Sequence, residues 1–330
     1  MESVRVQAVG NLIYYWNVLN YIEIGATYKR SPSTKTTMTD HDEENYLNLV
    51  RQALASEEVR RGRGGPTTRS IFGHQARYSL KDSTLPLLTT KKVFTRGIIE
   101  ELLWMIRGST NVDELKEKNV HIWDGHSSRE HLDNFGLTDL REGDIGPGYG
   151  YQFRHAGATY RGCDANCDGE GVDQLEQLVF NLKNNPSSRR HVVSAWSVPN
   201  IHEMALPPCH CLFQFYVGSN GLSCQLYQRS GDIGLGVPFN ITSYSILTHI
   251  IAKLVGVPAY EFIHTIGDAH IYTDHEGALK EQITRKPFPF PTLKINRDIE
   301  TLSDVEKMSA ADFEIVDYQY HPKITMKMVV

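Results

Sequence analysis

The stretch from Pro207 to Asp232 constrains this chain more than any other part of it. Gly218-Ser219-Asn220-Gly221 is a strong hairpin signal between two runs, Cys211 to Val217 and Leu222 to Arg229, that read as strands. An antiparallel hairpin returns the chain beside its start. Cys209, at the head of the first strand, and Arg229, at the foot of the second, therefore share one end of a sheet. Pro207-Pro208 stiffens the approach to the thiol, and Gln228-Arg229-Ser230-Gly231-Asp232 adds a guanidinium, a hydroxyl and a carboxylate. A thiol beside such a cradle fits covalent chemistry on a phosphorylated small molecule. His210 is adjacent to Cys209, but neighbours on a strand point to opposite faces, so adjacency does not make a dyad. A lone cysteine is more often a structural residue. Here the nearby arginines argue for a reactive one, because cations favour the thiolate.

Composition narrows the setting. The chain has 330 residues, 40% hydrophobic and 22% charged, with a formal net charge of −5. That balance is ordinary for a globular protein and wrong for a sequence-independent nucleic-acid binder. Anionic ligands must then be met by local arginines. The five cysteines (Cys163, Cys167, Cys209, Cys211 and Cys224) are odd in number and scattered, so a reducing intracellular setting is expected, not a disulfide framework. Leu12 to Ile24 is apolar but broken by Asn17, Asn20 and Glu23, so neither a membrane span nor a signal segment is expected. Ser31 to Asp40 is rich in Ser and Thr and reads as a linker. The expected organisation is a flexible N-terminal extension over 1–40 and one domain over 41–330.

Arg96 to Arg107 has helical spacing with a broad apolar face and is stopped by Gly108. Thr110-x-x-Asp113 has the form of a capping box opening another helix. Asn240 to Val255 reads as a buried helix ended by Gly256. Glu100-Glu101 falls inside the first of these helices. One carboxylate is expected to face solvent. The other faces the core, where burial raises its pKa and suits it to proton transfer. Three arginine groups recur: Arg60, Arg61 and Arg63; Arg189-Arg190 after the turn-type sequence Asn185-Pro186-Ser187-Ser188; and Arg229. Guanidinium forks suit phosphate dianions. Gly234-Leu235-Gly236 lacks the third glycine of a dinucleotide loop, and Pro238 intrudes. Zinc binding by Cys209, His210, Cys211 and Cys224 does not match the usual ligand spacing.

Taken together, the residues resemble the folate-dependent, flavin-independent thymidylate synthase family, animal enzymes in particular. The likeness runs from Tyr46 to Val330. It is carried by Ser70-Ile71-Phe72-Gly73, Glu100 to Trp104, Ile122-Trp123-Asp124, Gly143 to Pro147, Arg189-Arg190, Leu206 to His210, Gln228 to Asn240, and Gly267 to Tyr272. The resemblance implies an α/β (α+β) fold with a large mixed sheet flanked by helices, and sheets packed back to back in a dimer. It implies methyl transfer to deoxyuridine monophosphate (dUMP) with 5,10-methylenetetrahydrofolate as donor of carbon and hydride, and no metal, flavin or NAD. Cys209 matches the nucleophile, Glu101 the proton-transfer carboxylate, and Tyr149 the tyrosine near the C5 proton. His210 and Gln228 match the polar surround, Asn240 the reader of the uracil edge, and Asp232 a contact to both ligands. His270 and Tyr272 match the deoxyribose ligands. Arg63, Arg229 and Ser230 match phosphate ligands, and Arg189 and Arg190 match arginines donated across an obligate homodimer. Ile122, Trp123, Leu235, Gly236, Phe239, Tyr272, Met328 and Val329 would line the folate pocket, with Lys92 on the glutamate tail. A cytoplasmic location is implied, with nuclear and mitochondrial pools left open, along with weak RNA contact and no membrane.

Against the family pattern, Gly64-Gly65-Pro66-Thr67-Thr68-Arg69 replaces Thr-Gly-Thr-Gly-Thr-Leu, Gly125-His126 replaces Ala-Asn, Gly148 replaces valine, and Cys211 replaces a smaller residue. None of these removes a catalytic group. The alternatives are a deoxyuridylate hydroxymethylase of the same fold and an RNA-binding regulator without activity. The cytosine-specific hydroxymethylase carries Asp at this position, so Asn240 argues for uracil. Trp123 and the apolar C-terminus favour hydride transfer.

Overall fold

A hairpin with long alternating strands needs a sheet around it, and the described residues supply one of six strands. The computed structural model describes residues 41–61 and 67–328. The expectations for residues 1–40, Arg63 and its loop, Val329 and Val330 lie outside the described residues. The sheet runs in the order β1-β2-β6-β5-β4-β3. Its strands are β1 (Val59–Arg61), β2 (Thr67–Ser79), β3 (Val192–Ser194), β4 (His210–Gly218), β5 (Gly221–Asp232) and β6 (Ala259–Tyr272). Neighbours are antiparallel except β5 and β6, which are parallel. A parallel pair needs a crossover, and the chain provides a helix between them. The mixed sheet expected of the family is thus present. A separate ribbon pairs β7 (Thr292–Ile295) with β8 (Phe313–Val316).

The helices are α1 (Glu43–Ala55), α2 (Thr95–Ile106), α3 (Asp113–Lys116), α4 (Arg129–Asn134), α5 (Tyr149–His155), α6 (Gln174–Asn184), α7 (Gly236–Val255), α8 (Glu276–Gln282) and α9 (Leu302–Glu306). The crossover helix α7 is apolar on nearly every side. Its buried hydroxyls Thr242, Ser245 and Thr248 donate back to Pro238, Ile241 and Tyr244 carbonyls, which satisfies them inside the core. Gly256 ends α7 with φ +75°, a left-handed cap that favours glycine. Pro238 sits in its first turn, where no donor is lost.

One local expectation is corrected, and the split expected of the Glu100-Glu101 pair is assigned. Thr110 makes no capping box. Its hydroxyl bonds Tyr160, and Asn111 Oδ1 instead accepts the Asp113 N–H. Glu100 does not face solvent; it is buried, pairs with Lys118 Nζ at 2.7 Å and accepts from the Ala310 N–H.

The register matters most at the head of β4. His210 pairs with Gln228, but Leu212 pairs with Tyr227, so Cys211 is the extra residue of a β-bulge. A bulge flips the alternation beyond it. His210 thereby joins Phe213 and Phe215 on the face covered by α7, and the hairpin ladder continues with the Arg229 N–H donating to the Cys209 carbonyl at 2.9 Å.

Candidate active site

The expected meeting of Cys209 and Arg229 is present, with a grip the sequence did not announce. Arg229 Nε donates to the Pro208 carbonyl at 3.0 Å and Nη2 to the Pro207 carbonyl at 2.6 Å. Its guanidinium also lies over the Trp196 ring, 5.8 Å from the centroid. The two proline carbonyls thus form the cradle that holds the arginine. Ser230 and Asp232 follow on the same strand. Asp232 Oδ1 accepts the Gly234 N–H at 2.8 Å and shapes the turn into α7, where Leu235, Gly236 and Phe239 lead into Asn240 within the first turn and a half.

Burial pushes the Cys209 thiol above its ordinary pKa, while the Arg229 charge and a Tyr149 hydrogen bond pull the other way. The arginine does not by itself leave a resting thiolate; desolvation is the larger effect. Tyr149 Oη accepts the Cys209 N–H at 2.8 Å. Tyr149 has φ +29°, an unfavourable value for a bulky residue, and holds it at the first position of α5. Its ring packs edge-on against Trp123 (5.6 Å) and His210 (5.5 Å), which fixes the strained conformation from two sides.

His210 bonds away from the thiol. Its Nε2 is 2.8 Å from Asn240 Nδ2, and burial drops its pKa to about 4, so the ring is neutral. Asn240 Oδ1 accepts from Gln228 Nε2 at 2.9 Å. On the other side, Trp123 Nε1 donates to Glu101 at 2.8 Å. Part of Glu101 reaches the surface, yet protein surrounds its carboxyl on nearly every side. Burial accordingly lifts its pKa from 4.5 to about 7, against the downward pull of the Trp123 bond.

This has a consequence for stability. Between pH 4.5 and about 7 the folded chain keeps a proton on Glu101 that the unfolded chain releases, so stability falls as pH rises through that window. Glu101→Gln should therefore melt higher than wild type at pH 8, with the gap closing toward pH 5. Its turnover should drop by about 10²- to 10⁴-fold. Thermal melts at the two pH values and steady-state rates check both; equal melting differences at both pH values would count against a raised carboxyl pKa.

His270 and Tyr272 lie at the end of β6, beside Asp232, which pairs with His270 in the parallel register. Burial, Asp232 and Cys209 together raise the Tyr272 pKa. Ile122 packs against the core, and Met328 is exposed near the end of the described chain. Lys92 is placed over the Tyr320 ring at 5.1 Å. Sequence reasoning missed its neighbour Lys91. That side chain is buried, donates to the Gly234 carbonyl at 2.5 Å, and has a pKa lowered to about 8 by burial despite Asp232 and Glu43. The signal was a lysine set between Leu85 to Leu88 and Val93, an apolar run that leaves a charge little room at the surface.

The departures are absorbed locally. Arg69 Nε pairs with Glu276 at 2.7 Å and Nη1 donates to the Ser56 carbonyl. His126 packs edge-on against Trp123, and burial beside His131 lowers its pKa to about 4. Cys211 is buried, with Sγ within 3.7 Å of the Pro208 carbonyl. Among the described residues no His, Cys, Asp and Glu cluster is arranged to hold a metal ion.

A mixed sheet carrying a thiol, a gripped arginine and an amide on one end defines the class: an α/β protein with a polar, thiol-bearing site at one end of its sheet. The sequence model of the thymidylate synthase family matches residues 44–330, and the chain belongs to that family. It is 54% identical over 299 residues to a thymidylate synthase of Saccharomyces cerevisiae, covering 88% of this chain and 97% of that protein. It is 51% identical over 290 residues to a thymidylate synthase of Homo sapiens, covering 88% and 91%. It is also 52% identical over 293 residues to a bifunctional dihydrofolate reductase-thymidylate synthase of Leishmania major, of which it spans only 56%.

Proposed function

We propose that the chain is a thymidylate synthase, converting dUMP and 5,10-methylenetetrahydrofolate to dTMP and dihydrofolate. The observation that carries this is the joint placement of Cys209, Arg229 and Asn240 within a chain of this family. Uracil C5 is a poor nucleophile. Addition of Cys209 sulfur at C6 moves the ring electrons into an enolate and makes C5 reactive, which is why a thiol is needed. The thiol gives up its proton as the S–C6 bond forms. Arg229 and Ser230 meet the phosphate, with Arg63 as a further ligand. Asn240 reads the base edge, and His270 and Tyr272 meet the sugar. Tyr149 stands near the C5 proton, and Glu101, which exchanges its proton near neutrality, moves protons through water. The reduced folate supplies the one-carbon unit and the hydride. Trp123, joined edge-on to Tyr149, offers a flat apolar wall that suits such a ring, and Ile122, Leu235, Gly236, Phe239 and Met328 would extend it. The final step breaks the S–C6 bond and frees the enzyme.

Product analysis tests this. The expected result is dTMP and dihydrofolate in equal amounts. A hydroxymethylated nucleotide without dihydrofolate would replace this reading with the hydroxymethylase.

The partner is a second copy of the chain. The sheet face away from α7 exposes Leu212, Tyr216 (61%) and Tyr227 among Gln75, Gln214 and Gln225. Apolar groups gathered on one face favour burial against a partner. Arg189 and Arg190 are exposed beside that face, where Gln214 reaches the Arg189 carbonyl at 3.3 Å. Among the described residues neither guanidinium pairs with a carboxylate. Back-to-back packing would carry them to the other subunit's phosphate site. A cytoplasmic setting accords with five free cysteines.

A further inference from the structure

His264 stands on β6 between Phe262 and Ile266, facing the core, and is 1% exposed. Its Nε2 is 2.8 Å from Oε1 of Gln228. An amide oxygen only accepts, so this ring nitrogen carries the proton. Gln228 Nε2 donates in turn to the Ser230 carbonyl and to Asn240 Oδ1, both at 2.9 Å. Asn240 Nδ2 then donates to His210 Nε2 at 2.8 Å. Every donor in this chain points the same way, from β6 through β5 to α7 and on to β4.

The direction has chemical content. Reversing Asn240 alone would set its nitrogen against the Gln228 nitrogen. The two amides still pair only if both reverse together. His264 Nε2–H opposes that, because the reversed Gln228 would meet it donor to donor. The Ser230 carbonyl opposes it from the other side. Burial lowers the His264 pKa to about 3, so the ring stays neutral and offers that one proton. A uracil edge presents an N–H and a carbonyl, whereas a cytosine edge presents a bare nitrogen and an amino group. An amide held in one orientation matches the first, and the reversed amide matches the second.

We propose that His264 is a positioning residue that, through Gln228, sets which pyrimidine edge Asn240 reads. The inference rests on Asn240 being the contact to the base of dUMP. It is tested in the full-length protein with His264→Phe, which removes the donor, and His264→Gln, whose amide nitrogen can still donate. Affinities for dUMP and dCMP are measured by calorimetry, and kcat and KM for dUMP by steady-state rates. His264→Phe is expected to lose about tenfold or more of the dUMP-over-dCMP preference, with KM changing more than kcat, and His264→Gln to regain most of it. A general loosening would weaken both nucleotides alike. An unchanged ratio in folded His264→Phe, or an equal loss in both variants, overturns the proposal. Should His264→Phe not fold, nitrogen NMR of the wild type decides: the proton belongs on Nε2 of His264, and finding it on Nδ1 overturns the proposal. A wild type that makes no dTMP would sink the assigned reaction instead, and leaves the tautomer result to judge this inference on its own.

Discussion

Cys209→Ser is expected to lower dTMP formation by about 10⁴-fold or more, the scale seen when a covalent nucleophile is removed. The oxygen of serine is a weaker nucleophile than sulfur, and an alcohol is far harder to ionise than a thiol, so the Arg229 charge that favours a thiolate here does not make serine an adequate substitute. Folding should be little changed. The backbone of Cys209, not its sulfur, makes the bonds that matter locally: its N–H to Tyr149 and its carbonyl to the Arg229 N–H. Wild type incubated with dUMP and a non-reducing folate analogue should show a mass increase of one nucleotide per modified subunit after denaturation, and the variant none. Retention of turnover within about tenfold would remove the sulfur adduct from the mechanism.

The hairpin was readable because two independent local signals agreed, a Gly-Ser-Asn-Gly turn and alternation on both sides. The consequence for Cys209 and Arg229 followed from antiparallel geometry alone. What lay beyond reach was set by contacts distant in sequence. The bulge at Cys211 depends on how β4 meets β5, and it decides that His210 turns toward Asn240. Which of Glu100 and Glu101 turns inward was not readable, because the partners that hold Glu100, Lys118 and the Ala310 N–H, arrive from elsewhere in the chain. The Thr110 motif failed for a similar reason, since Tyr160 takes the hydroxyl. His264 carried a quiet signal. It shares the two-residue spacing of Phe262 and Ile266, which places a histidine at a core position of β6. A polar group at such a position must find a partner, and only the fold names it as Gln228. The roles given to the site residues came from family likeness; the sequence had no means of bringing Glu101 and Trp123 within hydrogen-bond reach.

Mixing an Arg190→Ala subunit with a Cys209→Ala subunit is expected to give, at low dUMP, more activity than either variant shows alone. If Arg190 serves the site of the other subunit, a mixed dimer holds one site with both defects and one with none. The intact site combines Cys209 from the Arg190→Ala chain with Arg190 from the Cys209→Ala chain. Random re-pairing of equal amounts makes about half of the dimers mixed, so about a quarter of all sites should be whole. Arg190→Ala alone should weaken dUMP binding, since a guanidinium that meets a phosphate dianion makes strong charge-assisted bonds. The structure makes this arrangement economical: Arg189 and Arg190 are exposed and without carboxylate partners among the described residues, next to a sheet face carrying Tyr216 and Tyr227. An arginine acting within its own subunit would give no whole sites on mixing, because each site would keep one of the two defects. Rates measured after reversible dissociation and re-pairing, with exchange followed by mass, separate the cases. No recovery despite complete exchange would assign the arginines to their own subunit.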